Sequence, residues 1–192
     1  MKLIVATKNK NKVEEIRAIL NNDAYEIMTM KEAGIETDVE ENGTSFEENA
    51  LIKARGIAGL CDGIVLADDS GLEVDALIKE PGIYSARYLG EDTSYHIKNL
   101  NIIERLNGVP FEQRTARFVC AVAAIFPDGK EIVVRQTMEG YIDTEEKGSN
   151  GFGYDPIFFL KEYGCTSAEI PMEEKNKISH RGKAFREIVK YL

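Results

Sequence analysis

An α/β fold on a mixed β-sheet flanked by helices is predicted by three features of the sequence. Short apolar runs alternate with segments of helical period along the whole chain. One run, Gly63-Ile64-Val65-Leu66-Ala67, is bounded by turn residues and reads as a buried strand. Two long strand patterns, about 114 to 126 and 130 to 141, are joined by Pro127-Asp128-Gly129, a hairpin signal that adds an antiparallel pair. The length of 192 residues fits a single domain, 1–192, with room for two lobes and a substantial core.

Apolar content of 43% and charged content of 30% are those of an ordinary globular protein. A net charge of -9 argues against a general nucleic-acid partner, because that function needs a broad basic face. Any anionic ligand must then be met by a local cluster of cations. Cys61, Cys120 and Cys165 are odd in number and far apart, which suggests reduced thiols in a cytoplasmic protein. Leu3-Ile4-Val5-Ala6 is too short for a signal peptide, and Val119 to Phe126 falls short of a bilayer, so no membrane partner is expected.

Residues 2 to 6 read as a first buried strand, and Val13, Ile16, Ile19 and Leu20 then recur at helical spacing. Between them lies Thr7-Lys8-Asn9-Lys10-Asn11-Lys12. A strand, a polar loop and a helix aim backbone N–H groups and the positive helix end at an anion. Three lysines at that end are unfavourable by roughly 0.3–1 kcal/mol each unless something negative offsets them. A bound phosphate group is the functional reading, and solvated surface lysines are the bland one.

Residues 25 to 37 suggest a strand or two. The acidic run Asp38-Val39-Glu40-Glu41-Asn42-Gly43 that follows reads most simply as a solvated loop, and alternatively as a source of carboxylate oxygens for Mg2+. Ser45-Phe46-Glu47-Glu48 is a capping-box pattern that opens a helix running to about Gly59. Its core face takes Phe46, Ala50, Ile57 and Ala58, while Lys53 and Arg55 point elsewhere.

The buried run 63–67 delivers Asp68 and Asp69 onto an expected Asp-Asp-Ser-Gly turn at its C-terminal end, the end of a strand where ligands collect in α/β sheets. Such a turn can also form with no chemistry at all. Leu72 to Leu77 alternates like a half-buried strand, and Pro81 to Tyr88 is a turn dense in hydroxyl, aromatic and guanidinium groups. Ile97, Leu100, Ile103 and Leu106 predict a helix over about 93–106.

Gly148-Ser149-Asn150-Gly151-Phe152-Gly153-Tyr154-Asp155-Pro156 is a glycine-rich turn that is neither a dinucleotide fingerprint nor a P-loop. Its glycines would admit a flat ligand with Phe152 stacked on a base, unless its aromatics fill the core instead. Ser179 reads as the N-cap of a terminal helix with Phe185, Ile188, Val189 and Leu192 on its apolar face. His180 and Arg181 occupy the first turn, where cations again sit at the wrong end of the dipole.

Six motifs taken in order carry a resemblance: Thr7-x-Asn9-x-x-Lys12, Phe46-x-x-Asn49-Ala50-x-x-Lys53-Ala54, Ala67 to Leu72, Pro81 to Arg87, Gly151 to Pro156, and Ser179-His180-Arg181-Gly182. Together the chain resembles the inosine triphosphate pyrophosphatase, or Ham1-like, family, and within it the bacterial XTP/dITP diphosphatases. The motifs run from residue 7 to residue 182, nearly the whole chain.

That resemblance implies Mg2+-dependent hydrolysis of ITP, dITP and XTP to the monophosphate and pyrophosphate. It also implies a homodimer, and a long mixed sheet flanked by two lobes with the site in the cleft between them. By motif position, Thr7, Lys8, Asn9, Lys10, Asn11 and Lys12 would hold triphosphate oxygens, with Lys53 also on the substrate. Asp69 would be the catalytic acid-base and a metal ligand, and Ser70 would touch substrate. Phe152, Gly153, Tyr154 and Asp155 would form part of the base pocket, Lys175 would touch the nucleotide, and His180 with Arg181 would read the purine. The second metal carboxylate is expected from the acidic run, with Glu40 the first choice and Glu41 the second.

No serine or cysteine with a partner histidine is suggested as a nucleophile, so water would attack directly, with Asp69 as base and Asp68 as helper or metal ligand. Three other readings compete. A receiver domain needs its acidic pair near the N-terminus and a further strand-end aspartate, neither of which is present here. A nucleotide sensor without turnover would have no use for the acidic pair, and a phosphatase releasing single phosphates differs only in its products.

Overall fold

The computed structural model describes residues 1–192 and contains seven strands and five helices. The strands are β1 (Lys2–Val5), β2 (Glu26–Thr29), β3 (Ile64–Val74), β4 (Thr115–Ile125), β5 (Glu131–Ile142), β6 (Phe158–Leu160) and β7 (Cys165–Thr166). The helices are α1 (Lys10–Ile19), α2 (Phe46–Ala58), α3 (Tyr95–Arg105), α4 (Met172–Ile178) and α5 (His180–Ile188). One sheet holds all seven strands in the order β2-β1-β3-β4-β5-β6-β7. β1 runs parallel to β2 and β3, whereas β6 is antiparallel to β5 and β7, so the α/β fold rests on a mixed sheet, as predicted.

The chain divides into two compact units, each discontinuous in sequence. The first comprises residues 1–70, 120–136 and 180–192; the second comprises 71–119 and 137–179. Each has its own core. In the first, Leu3, Val5, Ile16, Leu66, Val122, Phe185 and Ile188 are buried together. In the second, Leu72, Val74, Ile102, Leu106, Phe118, Ile142, Phe158 and Leu160 are.

Register places the ends of the elements. Leu3, Ile4 and Val5 pair with Ile64, Val65 and Leu66, and the Ala6 amide donates to the Leu66 carbonyl at 2.7 Å. The loop after β1 therefore begins beside Ala67 and Asp68. Asn9 caps α1 by accepting from the Lys12 amide at 3.2 Å, which turns the first helical turn toward that point. Ser45 caps α2 by accepting from the Glu48 amide, but the Glu48 carboxylate reaches back one residue further than a capping box requires, to the amide and hydroxyl of Thr44. The hairpin turn after β4 is closed by the Phe126 amide donating to Lys130.

Three expectations change. The expected break at Asp-Asp-Ser-Gly is absent: β3 runs unbroken from Ile64 to Val74, so Asp68 and Asp69 stand in mid-strand. Both carboxylates have partners within the fold, which removes the need for a solvated turn. The strand expected over 72–77 ends at Val74 in a 3-10 turn. The face of α3 is rotated. Ile97 and Leu100 are 54% and 47% exposed, and Lys98 and Asn99 are buried instead. Lys98 Nζ donates to the Ala86 carbonyl at 2.6 Å, and Asn99 has hydrogen-bond partners of its own, so these polar groups are buried satisfied.

Asp75, just past β3, accepts from both terminal nitrogens of Arg117 at 3.0 Å, from Thr115 at 2.6 Å, and from Lys79. The Arg117 bonds, with those from Lys79 and Thr115, hold its carboxyl well below the usual range. A lowered folded pKa stabilises the fold above the unfolded aspartate value of about 3.9, and that contribution is lost as pH falls below it. Asp75→Asn is expected to destabilise by about 1 kcal/mol at neutral pH. Denaturant midpoints of the two proteins should approach each other below about pH 4; a gap that stays constant with pH would refute the assignment.

Candidate active site

Successive side chains of a strand point to opposite faces, so Asp68 and Ser70 share one side of β3 while Asp69 faces the other. On the first side, Arg181 of α5 donates to Ser70 Oγ at 2.8 Å and approaches Asp68 Oδ2 at 3.3 Å. Its other terminal nitrogen donates to Glu15 of α1. Lys12, one turn before Glu15, places Nζ 2.9 Å from Asp68 Oδ2. On the other side, Asn49 of α2 donates to Asp69 Oδ2 at 3.1 Å, and the Ser70 amide donates to Asp69 Oδ1 at 3.0 Å. Lys53, one turn further along α2, donates to the Asp68 carbonyl at 2.8 Å and lies 3.0 Å from Glu41 Oε1.

The acidic run therefore splits. Glu41 is tied to Lys53, and the Gly43 amide donates to Asn49 Oδ1 at 2.8 Å. A Cβ at Gly43 would stand 2.7 Å from that oxygen, so the approach admits only glycine. Asp38 pairs with Lys8 at the exposed surface, and Glu40 is exposed as well. Of the two glutamates considered for a metal, Glu41 is the one that faces Asp69.

Burial would push both central carboxyls up, yet they move in opposite directions. The charges of Lys12, Arg181 and Lys53 outweigh the burial of Asp68 and hold it well below the usual range. Burial raises Asp69, and the negative charge of Glu41 adds to it; Lys53, Lys12 and the Asn49 hydrogen bond offset only part. Two adjacent acids driven apart in this way are the signature of distinct roles in acid-base chemistry. Cys120 of β4 lies in the same field, its thiol pushed up to about 12 by burial and by Asp68, so it is no nucleophile.

Thr7 is half-buried, whereas Lys8, Asn9, Lys10 and Asn11 are exposed around the N-terminus of α1. His180 is 5% exposed and Arg181 only 2%, both in the first turn of α5. Ser179 stands extended, between α4 and α5, where the sequence places a cap.

The second unit gathers the glycine-rich turn. Asp155 is 2% exposed; its Oδ2 accepts from Lys175 Nζ at 2.6 Å and from the Phe152 amide at 2.9 Å, and its Oδ1 accepts from Ser167 at 2.7 Å. A Cβ on Gly151, whose φ is +72°, would fall 2.1 Å from Asp155 Oδ2, so the turn closes only on glycine. Lys175 Nζ lies 5.4 Å from the centroid of the half-buried Phe152 ring. Tyr154 belongs to the core, its hydroxyl donating to the Ser85 carbonyl at 2.7 Å. Ser85 in turn donates to Gly82 and accepts from the Leu72 amide, which makes the Pro81–Arg87 motif a strut for Tyr154.

Two residues with no role expected from sequence belong here. Asn49, though part of a motif, holds Asp69 and Gly43 together. Glu15, 3% exposed, is the partner of Arg181; its one signal is an acid three residues from Lys12 on the face shared with Ile19.

A sequence model of the Ham1 family matches residues 3–191. The dITP/XTP pyrophosphatase of Caldanaerobacter subterraneus is 47% identical over 193 aligned residues, covering 100% of this chain and 96% of that protein. That of Exiguobacterium sibiricum is 47% identical over 188, covering 98% and 95%. The solved Ham1 protein of Staphylococcus aureus superposes with a TM-score of 0.88 at 38% identity, over 100% of this chain and 97% of its own. Matched over nearly its whole length by the family's sequence, and by its solved structures in fold, the chain belongs to the Ham1 family.

Proposed function

We propose that this chain hydrolyses dITP, XTP and ITP between the α- and β-phosphates, releasing the nucleoside monophosphate and pyrophosphate, with Mg2+ as cofactor. The observation that carries the reading is the adjacent pair Asp68 and Asp69, displaced in opposite directions within a ring of Lys12, Lys53 and Arg181. That relatives of this chain are dITP/XTP pyrophosphatases supports the substrate class.

The donor set suits Mg2+. No three His, Cys, Asp or Glu side chains gather as a protein-only metal cage, and Mg2+ characteristically takes one or two carboxylates with substrate phosphates and water. Asp69 and Glu41 are the pair that would hold it, with Glu40 as the alternative in the same run. Asp68, on the other face of β3, keeps a buried Oδ1 that accepts no hydrogen bond and is the proposed helper to Asp69. When bound, Mg2+ neutralises phosphate oxygens and lowers the pKa of a coordinated water.

The protein's own residues then divide the work. Asp69 takes the proton of the attacking water; the new bond forms at the α-phosphorus, and pyrophosphate leaves with the electron pair of the broken anhydride bond. Lys12 and Lys53, with Thr7, Lys8, Asn9, Lys10, Asn11 and Ser70, stabilise the charge on the phosphates. Phe152 stacks on the purine, and Asp155 with Lys175 fixes the turn formed by Gly153 and Tyr154.

His180 and Arg181 are the proposed readers of the 6-oxo group, which accepts a hydrogen bond where adenine's 6-amino group donates one. A site that reads a polar group in this way can discriminate by roughly 10⁴. Arg181 already serves Asp68, Glu15 and Ser70, so its reading is coupled to the acidic pair. The homodimer belongs to this reading too, supported by apolar side chains left exposed on the second unit, including Ile78 at 90% and Ile97 at 54%.

Incubation with Mg2+ and, separately, dITP, XTP, ITP, ATP and GTP should give monophosphate plus pyrophosphate from the first three, with ATP and GTP largely spared. Diphosphate plus phosphate would identify a phosphatase, and no turnover a sensor.

A further inference from the structure

The turn Gly148–Asp155 is held from outside by the first half of α3, through contacts that neither the motifs nor the chemistry above requires. Asn99, 1% exposed, donates through Nδ2 to Glu146 Oε1 at 2.7 Å and to the Gly153 carbonyl at 3.3 Å. Glu146 presents its other oxygen to His96 Nδ1 at 2.5 Å. Tyr95 packs edge-on to Tyr154, with ring centroids 5.3 Å apart, and would meet a Cβ on Gly153 at 3.5 Å. One face of α3 thus touches Glu146, Gly153 and Tyr154, residues on both sides of Phe152.

The carboxamide of Asn99 shows which contact governs its orientation. Its Oδ1 is buried without a hydrogen-bond partner, while its nitrogen serves two acceptors. A buried amide that leaves its oxygen unpaired is held by what its nitrogen bonds.

We propose that Asn99 and Glu146 are positioning residues for base recognition, fixing the backbone at Gly153 so that Phe152 and its neighbours meet the purine preformed. Glu146 orients Asn99, Asn99 orients Gly153, and His96 holds Glu146 from the solvent side. The role of the turn in base binding rests on the function proposed above; the positioning itself does not.

The test uses the full-length protein and two variants. Glu146→Ala removes both acceptors, whereas Glu146→Gln keeps an oxygen for Asn99 and gives up only the charge toward His96. For Glu146→Ala, KM for dITP should rise on the order of tenfold, the scale of one lost buried hydrogen bond, with kcat within about twofold. Glu146→Gln should stay near wild type. Hydrogen exchange gives a readout independent of turnover, since the amides of Lys147, Asn150 and Phe152 are bonded to Pro156, Ala168 and Asp155. A peptide covering 147–153 should exchange faster in Glu146→Ala and not in Glu146→Gln.

Unchanged exchange in Glu146→Ala overturns the positioning, whatever the enzyme does. Faster exchange with an unchanged KM, or a loss confined to kcat, overturns the link to base recognition. Failure of the wild-type protein to act on dITP strikes the proposed function instead and leaves the exchange result to decide the clamp.

Discussion

Asp69→Asn is expected to lower kcat by roughly 10²- to 10⁴-fold, the range supplied by a positioned general base. Nucleotide binding should survive, because the lysines of α1 and α2 and the glycine-rich turn are untouched. The substitution is nearly isosteric, and the oxygen of the new carboxamide can still accept from Asn49 Nδ2, which leaves the Gly43–Asn49 bond in place. Since burial raises the carboxyl of Asp69, the acid limb of kcat should lie at higher pH than an ordinary aspartate would give. Single-turnover rates with dITP, set beside equilibrium binding of the same nucleotide, separate the two effects. Near-normal kcat in Asp69→Asn would remove Asp69 from the reaction.

Arg181→Ala carries the second large effect, and it falls on the fold as well as on the substrate. The guanidinium is 2% exposed and serves Asp68 and Glu15, whose side chains are 0% and 5% exposed. Removing it takes the guanidinium away from two buried carboxylates, although Lys12 and Lys53 still act on Asp68. Breaking a buried pair in this way costs about 3–5 kcal/mol. A second substitution, Glu15→Gln in the Arg181→Ala background, removes one of the two buried charges and should recover part of that loss. Arg181→Lys should not recover it fully, since one ammonium cannot reproduce the fork that reaches Glu15, Asp68 and Ser70. Denaturant unfolding of the three variants checks all of this; a midpoint for Arg181→Ala equal to that of wild type would show that the network does not hold the fold.

Local pattern made much of this legible. The hairpin at Pro127-Asp128-Gly129, the cap at Ser45 and the apolar face of α5 were readable because each depends on residues close together in sequence. The six motifs likewise gave the family. What escaped was decided by partners far away in the chain. Periodicity chose Ile97 and Leu100 for the core face of α3, but Lys98 and Asn99 are buried there because Ala86, Glu146 and Gly153 supply their bonds. Asp-Asp-Ser-Gly has the composition of a turn, and nothing within ten residues shows that Lys12, Asn49 and Arg181 will satisfy it as a strand. Glu15 looks like any surface glutamate until α5 is brought against it.

The way α5 completes the first unit bears on how the protein is made. Glu15 and Arg181 are 166 positions apart, and Ala184, Phe185 and Ile188 help fill the same core as Leu3 and Val5. On the ribosome, the strands and helices that open the unit emerge well before the helix that seals it. Until then Glu15 and Asp68 have no Arg181, and one side of the apolar core has no cover. The nascent first unit therefore stays open on that side until residues 180–192 have emerged to close it.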